Sequence, residues 1–102
     1  MAKINSSSIP VSSVSEWTEE MQKKYPVGAQ SFINLLSHWG YATVGHAFGR
    51  VSQSFERINI FLVSNYVLLD IEEAKNLESL KNALEIAFKR TEATAAELAW
   101  AA

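Results

Sequence analysis

Residues 44–69 read VGHAFGRVSQSFERINIFLVSNYVLL, and the spacing of their apolar side chains decides the fold. Val44, Phe48, Val51, Phe55, Ile58, Leu62, Tyr66 and Leu69 follow one another at intervals of three or four. An α-helix repeats every 3.6 residues, so this spacing lines one face for about seven turns. The stretch from Arg57 to Ile71 is also rich in β-branched residues, but it lacks the alternation of a half-buried strand. The spacing therefore predicts a long amphipathic helix over 44–69, roughly 38 Å along its axis. It extends back toward Val27 as far as Gly28 and Gly40 allow.

Outward from this stretch the chain stays helical. Residues 1–12 hold Ser6, Ser7, Ser8, Ser12 and Pro10 and read as a flexible Ser-rich tail. A first helix is expected from Ser13, where Ser13 and Glu16 have the spacing of a capping box. Glu16, Glu19 and Glu20 near its start and Lys23 and Lys24 near its end complement the helix dipole. Trp17 and Met21 share a face, and Pro26 ends or kinks the helix. Toward the C-terminus Leu77, Leu80, Leu84, Ala87, Phe88, Thr91, Ala95 and Leu98 repeat the helical period. Asp70 with Glu73, or Asn76, has the chemistry to cap this last helix. Lys81, Glu85 and Lys89 stand at i,i+4 spacing on it. The expected fold is all-α, a single helical domain over 13–102. A short N-terminal helix, a long central helix and a C-terminal helix form an antiparallel hairpin or bundle.

The charge distribution points to function. Six charged residues lie in 1–26 and eleven in 70–102, but only Arg50, Glu56 and Arg57 fall in 27–69. A solvent-facing helix normally carries charge on its outer face. A helix this uncharged needs covering, and two flanking helices look too few to wrap it. Self-association or adsorption to an apolar surface is therefore expected through Val44, Phe48, Val51, Phe55, Ile58, Leu62, Tyr66 and Leu69. Gly45 and Gly49, with Ala42, add small residues that permit close helix approach. Trp100, two residues from the last, suits a half-wet boundary and joins this interface set.

Catalytic patterns are missing. With no Cys there is neither a thiolate nucleophile nor a thiolate metal site. His38 and His46, eight residues apart on one helix, lie about 12 Å from each other and cannot share a metal. Glu19–Glu20 and Glu72–Glu73 sit in charged faces where solvated glutamates are ordinary. Neither phosphate-binding glycine motif is present. We therefore expect no enzyme, no cofactor and no metal. The net charge of −2 gives no field to attract nucleic acid. The longest apolar run, Ile58 to Leu69, is too short to span a bilayer, and a cytoplasmic location is expected.

One resemblance adds to this reading. Trp17-Thr18-Glu19-Glu20-Met21-Gln22 in a first helix is followed by the uncharged amphipathic stretch. Glu73-Ala74-Lys75-Asn76-Leu77-Glu78-Ser79-Leu80 then leads into an Ala-rich charged helix. Across 16–98 this layout resembles the phasins, small helical proteins that coat polyhydroxyalkanoate granules in bacterial cytoplasm. The eleven aromatic residues and the short chain depart from that pattern. The resemblance implies a non-catalytic coat protein bound to a granule surface. The competing expectation is a small adaptor or regulatory subunit that docks its central helix onto a larger complex.

Overall fold

The computed structural model describes residues 11–101, with side chains over 14–50 and 54–99. The fold is all-α, and among the described residues there is no strand. The helices are α1 (Val11–Lys24), α2 (Pro26–His38), α3 (Val44–Gly49), α4 (Val51–Ser64), α5 (Ile71–Ala74) and α6 (Leu77–Ala101). α6, at 25 residues, runs about 37 Å. It packs chiefly against α2 and also meets α4 and α5, while α1 packs on α2 and α3. The described body measures 56 × 24 × 23 Å.

Pro26 acts as its sequence position predicts. α1 stops at Lys24 and α2 starts with Pro26 in its first turn, where a missing N–H costs nothing. α1 begins at Val11, so Ser13 stands inside its first turn rather than ahead of it. The Ser13 side chain, and with it the Ser13–Glu16 capping box, lies outside the described residues. So does the Ser-rich tail over 1–10. Lys23 and Lys24 fill the last turn of α1.

The central stretch departs from the expectation of one long helix: 26–64 forms three. At the first break Gly40 takes a left-handed φ of 94°. Gly40 N–H then donates to Ser37 O (3.0 Å) and Tyr41 N–H to Leu36 O (2.9 Å). This paired closure ends a helix cleanly. Thr43 restarts the chain by accepting the His46 amide at 2.9 Å. At the second break Arg50 leaves helical geometry, with φ −119° and ψ 40°. Buried Ser54 spans this joint, its hydroxyl reaching Ala47 O (2.9 Å) and Arg50 O (2.8 Å). A three-and-four spacing survives such breaks because each short helix keeps its own apolar face. Periodicity alone could not separate one rod from three folded pieces.

Folding the stretch back also removes the reason to expect that the chain cannot cover its own middle. Phe32, Leu36, Phe48, Ile58, Leu62, Leu80, Leu84 and Phe88 are all buried. Trp17, half-buried, lies 5.8 Å from the ring centroids of both Phe48 and Phe88. Phe32 packs at 5.0 Å on Phe61 and 5.7 Å on Phe88. These tilted contacts are the favourable arrangement for aromatic quadrupoles. α2 reaches α6 through Gly28, where a Cβ would stand 2.8 Å from Phe88 Cα and collide with the Phe88 carbonyl. Glu92 of α6 fixes the same approach by accepting the amides of Val27 (2.9 Å) and Gly28 (3.1 Å).

Candidate binding surface

The site lies where α4 ends and the chain turns toward α6. α4 closes as α2 does: Tyr66 N–H donates to Val63 O (2.9 Å) and Val67 N–H to Leu62 O (2.9 Å). The left-handed position is filled by Tyr66, at φ 63°, instead of glycine. Arg90 of α6 braces the turn, its guanidinium donating to Asn65 O (2.9 Å) and Tyr66 O (2.6 Å). The Thr91 hydroxyl donates to Asn65 Oδ1 at 2.8 Å. Val67 tucks inward, while Tyr66 and Leu68 on either side are each 84% exposed.

Asp70 then starts α5. Its Oδ1 accepts the Glu73 amide at 2.8 Å and Glu73 Oε1 accepts the Asp70 amide at 3.4 Å, a reciprocal capping box. Asn76 caps α6 through the amides of Glu78 (2.9 Å) and Ser79 (3.2 Å). Both capping residues singled out in the sequence are used, one per helix.

Among the described residues, most of the exposed large hydrophobics lie here, with Val27 and Ile86 elsewhere. Ile60, Val63, Tyr66, Leu68 and Ile71 fall within twelve residues of chain, with Leu98 of α6 nearby in the fold. Val63 and Leu68 border one groove, and Tyr66 and Leu98 another. One, of about 350 Å³, is lined by Asn59, Val63, Leu68, Leu69, Asp70 and Glu73. The other, of about 530 Å³, runs between α2, α4 and α6, with Leu35, Phe61, Tyr66, Thr91 and Leu98 on its walls and no charged residue in its lining.

The residues expected to form an interface are split by the fold. Val44, Phe48, Ile58 and Leu62 are buried in the chain's own core, and Phe55 and Leu69 are half-buried. Among the described members of the set, Tyr66 alone is exposed. The side chains of Val51 and Trp100 lie outside the described residues. Gly45 is buried and Gly49 exposed, so the two do not share one open face. His38 ends α2 in solvent. His46 accepts the Ala42 amide at Nδ1 (3.4 Å) and meets the Tyr41 ring edge-on at 5.3 Å. Neither belongs to a set of three potential metal ligands, and no such set occurs among the described residues. No helix there is long and apolar enough to cross a membrane.

Sequence reasoning missed Ile60, Val63, Leu68, Ile71 and Leu98. Ile60 and Val63 lie off the dominant stripe, three residues apart, and that second, shorter spacing was the available signal. Comparison of the chain with family models, curated proteins and solved structures returns no match.

Proposed function

We propose that the chain is a non-catalytic cytoplasmic binding protein that works through the apolar surface at the α4–α5 turn. The observation that carries this is the run of exposed Ile60, Val63, Tyr66, Leu68 and Ile71 within twelve residues of chain. Apolar surface gathered in one place marks interaction sites more often than scattered apolar residues do. Tyr66 and Leu68 fit the anchor role, since aromatic and aliphatic side chains held by a rigid turn lose little freedom on binding. The granule coat implied by the phasin resemblance and the adaptor reading both draw on this surface.

Ile60→Ser combined with Leu68→Ser tests the surface, because both side chains are exposed and the fold does not depend on them. The pair should weaken binding of a fluorescently labelled Leu-rich amphipathic helical peptide and lower adsorption to polyhydroxybutyrate particles, with the helical circular dichroism unchanged. Wild-type and variant chains that behave alike would overturn the assignment.

A further inference from the structure

The smaller groove carries a sign as well as a shape. Its apolar walls are Val63, Leu68 and Leu69, and its edge is formed by Asp70 and Glu73. The capping box holds both carboxylates through one oxygen each. Asp70 Oδ2 and Glu73 Oε2 remain open in exposed positions. Asp70 and Glu73 are the charged residues in the groove's lining and both are acidic, so its edge is anionic.

We infer that this groove receives a cationic amphipathic segment of a partner protein. An apolar side chain seats against Val63 and Leu68, and a neighbouring Lys or Arg meets Asp70 and Glu73. Charge complementarity selects this occupant. In a two-fold contact of groove on groove, a second copy would bring only the same acidic lining to this edge, and like charges so placed disfavour the contact. An anionic surface is disfavoured for the same reason. The inference rests on the proposed binding surface and adds the chemistry of its partner.

The test uses a fluorescently labelled Leu/Lys amphipathic helical peptide and its Leu/Glu counterpart, titrated with the full chain and read by anisotropy. Asp70→Asn with Glu73→Gln removes the charge while keeping the box, since Asn caps as well as Asp and Gln serves at the third position. The Leu/Lys peptide should bind, and the Leu/Glu peptide should bind at least several-fold more weakly. The neutralised pair should lose roughly three- to tenfold in affinity for Leu/Lys, the size expected of two edge ion pairs. Raised salt should narrow that difference. Leu68→Ser should weaken Leu/Lys binding as well. If Leu68→Ser weakens binding and the neutralised pair does not, the cationic partner is overturned and the surface stands. If Leu68→Ser has no effect, both readings fall. Equal binding of the two peptides, or no binding of Leu/Lys, overturns the inference.

Discussion

Tyr66 and Gly40 occupy the same position in two copies of one helix-ending turn, at φ 63° and 94°. A side chain there crowds its own carbonyl, at about 1–2 kcal/mol, which glycine avoids. Glycine gives part of this back through the greater freedom of its unfolded chain, about 0.5–1 kcal/mol. Tyr66→Gly should therefore stabilise the protein by about 1 kcal/mol, raising Tm by roughly 4–8 °C, measured by thermal melting. An unchanged or lowered Tm would show that the Tyr66 side chain holds the turn in a way its exposure does not suggest. If the gain appears while binding falls, the tyrosine is kept for what it touches outside the chain. Sequence reading foresaw Asp70, Glu73 and Asn76 as caps because their chemistry is local. It could not foresee Tyr66 in a left-handed turn, since nothing in the tyrosine side chain announces that conformation.

Among the elements, the α2–α6 pair sets the spacing of the bundle. At Gly28 the two helices approach closely, and an added Cβ would meet Phe88 backbone, which has no softer atom to move. Gly28→Ala should push the two helices apart and cost about 1–3 kcal/mol, read as a lower urea midpoint with unchanged slope. A neutral or stabilising result would mean that α2 slides without loss. The sequence showed Gly28 only as a weakness in a long helix, whereas its role is to bring two helices together. Glu85 makes the same point. Its spacing suggested pairing with Lys81 and Lys89, yet it meets Lys24 at 3.4 Å and the Tyr25 hydroxyl at 3.3 Å. Lys81 lies 5.9 Å from the Trp17 ring centroid instead. Charges on a helix face its own turns and its neighbours alike, and a single sequence reveals only the first.

For the whole molecule, helical content and the apolar period were legible, and the direction in which the central stripe faces was not. The two breaks, at Gly40 and Arg50, turn Phe48, Ile58 and Leu62 inward. Leu62→Asp should therefore unfold the chain rather than merely detach it from a partner. An unpaired carboxylate in the core would cost several kcal/mol of a total that is rarely above about 15. Loss of helical circular dichroism at room temperature would show this, whereas a folded variant with altered binding would restore the outward-facing stripe. A last consequence concerns the order of assembly. The amides that open α2 are satisfied by Glu92, 64 and 65 positions later in the chain. During synthesis α2 leaves the ribosome with its first turn uncapped and waits for more than half of α6 to follow. The early helices are provisional until the last one arrives, and the fold closes late.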